Sequence, residues 1–257
     1  MPAGGKAARL APLPCSKELY PIGFRPVAES GALRPKVICH YLLERMRLAN
    51  ITKAYIILRE GKWDIPAYLK DGKIVDMNLA YLMMDLPFGV PYTLDQAYPF
   101  VRDAVVAFGF PDTILQPDDA FVRLIARQSE SHAEIVLGLF PANHPHKVDM
   151  VDLDPDGRIC GIQIKPARTH LRYTWLIAVW TPDFTRFMHE YVTVLQKRKG
   201  DRKRGLNVEE DQELFVGDVI QAAIHDDMLI DTVLFPGGKY LDIGSPEDMV
   251  KAVQFKI

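Results

Sequence analysis

The sequence predicts an α/β fold with a doubly wound, mostly parallel mixed sheet, on three observations. Short apolar runs suited to buried strands alternate with amphipathic stretches suited to helices, the order that builds a largely parallel sheet covered on both faces. With 257 residues, 48% of them hydrophobic, the chain can bury a large core, and residues 1–257 are read as a single domain. One stretch interrupts the alternation with two consecutive strands, so a β-hairpin excursion from the sheet is expected.

The strands and helices follow in chain order. AYIIL (54–58), AVVAFGF (104–110) and EIVLGLF (134–140) are continuous apolar runs of strand length. VICHYLLERMRLA (37–49) and DAFVRLIARQSESH (119–132) carry apolar residues at helical spacing. The hairpin is VDMVDLDPDGRICGIQIK (148–165), turning at Asp154-Pro155-Asp156-Gly157, where glycine supplies the turn conformation. TWLIAVW (174–180) returns as a strand, and a helix is expected from about Pro182 to Gln196. QKRKGDRKRG (196–205) holds six basic residues among glycines and reads as a solvated loop. Residues 209–224 read as helical and MLIDTVLF (228–235) as extended. The last helix opens at SPEDMVKAVQF (245–255), with Ser245 as N-cap, Pro246 first and Asp248 third.

Composition excludes several function classes. The net charge of -2 offers no global field for nucleic acid or an anionic membrane, so any anion site must be local. Cys15, Cys39 and Cys160 lack the pairing of a disulfide framework or zinc site, which fits a reducing cytoplasm. Neither a signal peptide nor 18 consecutive apolar residues is present, so no membrane partner is expected. His144 and His146 in a Pro-interrupted loop read as surface residues, and Cys15 as an inert thiol beside Lys17. Trp175 and Trp180, at odd spacing on one strand, are expected to face opposite sides.

The chemistry-bearing stretch is AGGKAARLAPLPCSKELYPIG (3–23). A glycine-rich turn between strand and helix exposes backbone N–H groups to phosphate, and Arg9 and Lys17 would add a planar fork and a point charge. The residues alone leave two readings open, a phosphate-binding loop or a glycine-rich terminus.

The order of motifs along the whole chain resembles the sugar-1-phosphate nucleotidyltransferases. The opening stretch is similar to their G-G-x-G-T-R-L-x-P followed by S-K and L-L-P-[IV]. GFPDTIL (109–115) stands in the place of L-G-D-N, IKP (164–166) of E-K-P, and YLDIGSPEDMVKA (240–252) of W-x-D-x-G-[ST]-x-x-x-[ML]. The motifs most resemble those of glucose-1-phosphate thymidylyltransferases and uridylyltransferases. The resemblance implies the Rossmann-like nucleotide-diphospho-sugar transferase fold and an NDP-sugar made from an NTP and a sugar 1-phosphate, glucose 1-phosphate with dTTP or UTP, pyrophosphate leaving. Arg9 and Lys17 are the implied catalytic residues. Ala3, Gly4, Gly5, Lys6, Phe88, Thr93 and Gln96 would bind the nucleotide, Lys165 and Leu176 the sugar phosphate, and Asp112 and Asp242 a Mg²⁺ ion. Nucleic acid is no partner, and assembly into a homo-oligomer is left open.

The chain departs from the pattern in several places. Ala7-Ala8 replace the loop's Gly-Thr, two residues are missing between Arg9 and Lys17, and the strand that should precede the loop is expected to be absent, because only Met1-Pro2 stand before Ala3. Phe88 falls where a glutamine reads the pyrimidine, Ile164 where a glutamate precedes the lysine, and Leu176 at a usual glycine. A non-catalytic relative that binds a nucleotide or sugar nucleotide is the alternative function, and cytidylyl transfer to a non-sugar phosphate shares the same loop and metal logic.

Overall fold

The computed structural model describes residues 1–27, 31–84, 89–202 and 213–254. The strands are β1 (Pro21–Pro26), β2 (Leu33–Val37), β3 (Lys53–Arg59), β4 (Asn78–Met84), β5 (Val106–Gly109), β6 (Thr113–Gln116), β7 (Ile135–Pro141), β8 (Met150–Leu153), β9 (Ile159–Gln163), β10 (Tyr173–Trp180), β11 (Ile230–Leu234) and β12 (Lys239–Asp242). The helices are α1 (Ile38–Leu48), α2 (Asp64–Leu69), α3 (Val90–Asp95), α4 (Tyr98–Val101), α5 (Ala120–Ser131), α6 (Pro182–Arg202), α7 (Val216–His225) and α8 (Pro246–Gln254), with a short 3₁₀ turn at Lys17–Leu19. The chain forms two compact units: Met1–Met83 with Gly109–Phe121 and Gly238–Ile257, and Met84–Phe108 with Val122–Gly237.

In the first unit, β3 pairs with β4, β6 with β12 and β1 with β2. Its core joins Leu10, Ile22, Ile38, Tyr41, Ile114, Leu241, Ile243 and Ala252, so N-terminal, central and C-terminal segments share one apolar cluster. The expected missing first strand is present in rudiment. Pro2 bridges Ile57 in parallel; Ala3 N–H donates to the Ile57 carbonyl at 2.8 Å and Ile57 N–H to the Met1 carbonyl at 3.0 Å. The Met1 nitrogen also donates to the Tyr55 carbonyl at 2.8 Å, so a short ladder ties the following loop to β3. At the other end Ser245 Oγ donates to Asp248 Oδ2 at 2.7 Å and accepts from the Asp248 N–H at 3.3 Å, the expected cap of α8.

The second unit is built on a mixed sheet ordered β11-β7-β10-β8-β9, with β5 also pairing β10. β11 runs parallel to β7, while β10 runs antiparallel to both β7 and β8, and β8 to β9. Antiparallel pairing is thus prominent, because the β8-β9 hairpin sends the chain back into the sheet through β10. The hairpin turns where expected: Gly157 has φ +81°, and Asp154 Oδ1 accepts from the Arg158 N–H at 2.8 Å. β10 is buried from Thr174 to Trp180, so both its faces are covered.

Three expectations are corrected, and one pair of strands was unforeseen. Trp175 and Trp180 are both buried, and both rings lie within 6 Å of Phe108, because a register irregularity between Trp175 and Ile177 breaks the strict alternation. α6 does not end at Gln196 but continues through the basic run to Arg202, since Lys and Arg are good helix formers and suit a helix C-terminus; residues 203–205 of that run lie outside the described residues. The helix expected from residue 209 begins at Val216, after Phe215 in extended conformation; residues 209–212 also lie outside. β1 and β2 were not expected at all. Pro21, Pro26 and Pro35 interrupt them and most of their residues are exposed, so no apolar alternation marks them.

Candidate active site

In the first unit the site is built around Lys17. Its ammonium forms an ion pair with the Asp112 carboxylate, which lies in the turn just before β6. The Asp112 carbonyl accepts from the Ile243 N–H at 3.1 Å, and Asp242 ends β12 opposite Thr113, so neighbouring strands carry the two carboxylates to one place. Arg9 arrives from the N-terminal segment. A Cβ built on Gly244 would lie 3.1 Å from Arg9 Nη2 and 4.0 Å from Asp242 Oδ2, so the bare glycine lets guanidinium and carboxylate approach. Four expected site residues from distant parts of the sequence therefore meet.

Electrostatics within this group are strongly coupled. Burial disfavours the charged form of Lys17, but Asp112, then Asp242 and Glu18, outweigh it and raise its pKa, so the ammonium persists. Asp242 is pushed well above the usual carboxylate range by surrounding protein and by the Asp112 charge, against the opposing pull of Lys17 and Arg9. Water still reaches the Asp242 side chain and screens part of that effect. Two neighbouring carboxylates of like charge favour a cation between them. No cluster of three or more His, Cys, Asp or Glu arranged for a metal exists among the described residues. Mg²⁺ takes only one or two carboxylates from protein when phosphates and water complete its shell, so Asp112 and Asp242 fit such an ion.

The loop ahead of Arg9 is less committed. The Ala3 N–H is engaged by Ile57; Gly4 is half-buried, while Gly5 and Lys6 are exposed. Ala7 has φ +51°, the left-handed region in which glycine is at ease, and its carbonyl accepts from the N–H groups of Leu10 at 2.9 Å and Ala11 at 3.1 Å. Cys15 is half-buried, and burial, then Asp64 and Glu18, raise its thiol pKa, which suits an inert role.

The second unit holds the other expected residues. Lys165 is exposed, adopts φ +40°, and sets its ammonium 3.6 Å from the centroid of the Phe215 ring. Burial raises the Asp149 carboxyl to about 6; Lys165, through its charge and backbone N–H, and the Trp175 indole pull it back, while Asp218 adds to the rise. Gly217, at the start of α7, closes the arrangement: a Cβ there would meet Asp149 Oδ2 and Ile164 Cδ1 at 2.5 Å each. Ile164 therefore packs its side chain against α7. Leu176 is buried in β10. Thr93 is buried too, its hydroxyl donating within its own segment to the Gly89 carbonyl at 3.3 Å, and Gln96 Nε2 donates to the Tyr92 carbonyl at 3.3 Å. Phe88 lies outside the described residues. His144 and His146 are exposed.

Sequence reasoning missed Asp149 and Phe215, which surround Lys165, and Lys62 and Asp64, which contact the segment bearing Lys17. Asp149 stood unremarked at the start of a strand, and GKWD (61–64) matches no motif.

Comparison with known proteins follows the same lines. The model of the nucleotidyl transferase family matches residues 2–257. The chain is 25% identical over 256 residues to a glucose-1-phosphate thymidylyltransferase of Actinoplanes sp., covering 98% of this chain and 76% of that protein. It is 25% identical over 197 residues to one from Streptomyces antibioticus, where the match takes in 76% of this chain and spans about half, 51%, of the relative's length. Among solved structures, a Bacillus anthracis protein described as a glucose-1-phosphate thymidylyltransferase, in complex with sucrose, superposes with a TM-score of 0.78 at 17% identity, covering 98% of this chain and 92% of that one. A UDP-glucose pyrophosphorylase complexed with UDP-glucose gives 0.73 at 14% identity, covering 98% and 95%. At such identities the two structures speak for the α/β fold.

Proposed function

The chain belongs to the nucleotidyl transferase family, and on that premise we propose that it joins an NTP to a sugar 1-phosphate, glucose 1-phosphate with dTTP or UTP being the pairs to test first. The observation that carries this reading is the convergence of Arg9, Lys17, Asp112 and Asp242 within one compact unit. An oxygen of the sugar phosphate attacks the α-phosphorus of the NTP, the bond from that phosphorus to the bridging oxygen breaks, and pyrophosphate leaves with the electron pair. The protein's work is alignment of two anions and neutralisation of the charge that builds between them.

Arg9, exposed and forked, holds the triphosphate and the departing pyrophosphate. Lys17, kept protonated by its acidic neighbours, faces the reacting phosphates. Lys165 holds the phosphate of the sugar, its ammonium resting on an aromatic face that leaves it room to turn toward an anion. Asp112 and Asp242 would hold Mg²⁺, which when bound neutralises phosphate charge.

Ala7 in a left-handed conformation favours a second reading, a relative that binds nucleotide without turnover, because the loop is strained where a phosphate must be cradled. A screen for pyrophosphate release, several NTPs against a panel of sugar phosphates, separates the two. Release with any pair establishes transfer; binding of an NTP with no release from any pair overturns the enzyme reading.

The structure has no helix among the described residues that is long and apolar enough to cross a membrane.

A further inference from the structure

Lys17 sits in a 3₁₀ turn of three residues, Lys17–Leu19, which is too short to fix its own direction. The preceding loop is tied to β3 through Met1, Pro2 and Ala3, at its far end from Lys17. Both neighbours of Lys17 are nevertheless anchored. Ser16 gives its backbone N–H to Asp64 Oδ2 at 2.6 Å and its hydroxyl to Asp64 Oδ1 at 2.7 Å. Glu18 receives Lys62 Nζ on both carboxylate oxygens, at 2.9 and 2.7 Å, and both side chains are buried.

The two anchors lie 44 to 48 residues away in sequence and two residues apart from one another, Lys62 in the turn after β3 and Asp64 at the first position of α2. Each carboxylate has its own partner on both oxygens, Asp64 in Ser16 and Glu18 in Lys62. Hydrogen bonding to Ser16 overcomes the effect of burial and lowers the Asp64 pKa, so the Asp64 carboxylate is charged at neutral pH.

We infer that Asp64 and Lys62 are positioning residues for Lys17: they pin the residues on either side of it and so aim its ammonium toward Asp112 and the reacting phosphates. This inference rests on the reading of Lys17 as catalytic. A clamp of this kind matters because misplacing a catalytic group by about 1 Å costs on the order of 100-fold in rate.

The test uses the full chain, steady-state pyrophosphate release with the best NTP and sugar phosphate, and melting temperature as a check on folding. Asp64→Ala should lower kcat by about 10- to 100-fold while the KM for the sugar phosphate stays unchanged. Because it acts through Lys17, the same change in a Lys17→Ala background should cost less than about twofold. Removing Lys62 alone would strand a buried charge, so the second variant is the paired, near-isosteric Glu18→Gln with Lys62→Met, for which the same loss of kcat is expected. Should Asp64→Ala not fold, Ser16→Ala removes one of the two bonds and must still lower kcat several-fold. Wild-type kcat in the folded variants, or an undiminished loss in the Lys17→Ala background, overturns the clamp. Wild-type kcat in Lys17→Ala itself sinks the catalytic reading of Lys17, and the clamp with it; pyrophosphate release by that variant tells the two failures apart.

Discussion

Lys17 and Lys165 present the same ammonium to two different surroundings. In the first unit Lys17 is enclosed by carboxylates, paired with Asp112 and influenced by Asp242 and Glu18, on a backbone held by Asp64 and Lys62. In the second unit Lys165 is exposed and rests on the Phe215 ring, with Asp149 acting on it through charge and backbone. The first arrangement keeps a charge in place where burial would otherwise discourage it; the second leaves a charge that solvent already supports free to turn. Each unit also contains one left-handed residue that is not glycine beside its lysine segment, Ala7 at φ +51° and Lys165 at φ +40°. On the proposed reading, the contrast suits a held centre for bond making and a compliant one for gripping a substrate anion.

The largest effect expected falls on the acidic pair. Asp242→Asn is nearly isosteric but a poor ligand for Mg²⁺, so turnover should fall by several kcal/mol of transition-state stabilisation, on the order of 10³-fold, in a protein whose melting temperature is unchanged. Wild-type rates at limiting Mg²⁺ would break the assignment. Next comes the lysine within the enclosure. Lys17→Ala should lower kcat by about 10²- to 10³-fold and weaken NTP binding together.

The contrast sharpens on the Lys165 side. Asp149 has a folded pKa of about 6, above the 3.8 of an ordinary aspartate, so the folded protein binds more protons between those values. Stability should therefore fall as pH rises from about 4 to about 6 and level off above, a loss of at most ~3 kcal/mol. Denaturant midpoints of Asp149→Asn should lack that decline; an unchanged slope would mean the carboxyl titrates normally. Lys165→Ala should raise the sugar phosphate KM about tenfold, near 1.4 kcal/mol, with little change in the NTP KM. Equal effects of both lysine changes on both substrates would dissolve the comparison into general electrostatics. The smallest effect belongs to the loop: Ala7→Gly relieves a left-handed cost of about 1–2 kcal/mol, partly offset by glycine's greater freedom when unfolded, and should raise Tm by about 2–4 °C. A lower Tm would show that Ala7 is not strained.

The sequence by itself determined the elements whose residues announce them locally. Apolar runs such as 54–58 and 134–140 became β3 and β7, helical spacing became α1 and α5, and Asp154 to Gly157 became the hairpin turn, since period and turn chemistry act over a few residues. Motif order further pointed to Arg9, Lys17, Asp112 and Asp242 as one group, although nothing in their spacing brings them together; that required β6 and β12 to pair and the N-terminal segment to join their cluster. Tertiary structure alone decided the rest. The bulge near Trp175 buried both tryptophans against the rule of alternation, and the exposed, proline-interrupted β1 and β2 formed without an apolar pattern to predict them. Lys62 and Asp64 took their meaning from partners 44 and 48 residues away. A hydrogen bond across such a span leaves no periodic trace in the chain, because its geometry is set by how the elements pack and not by which residue comes next.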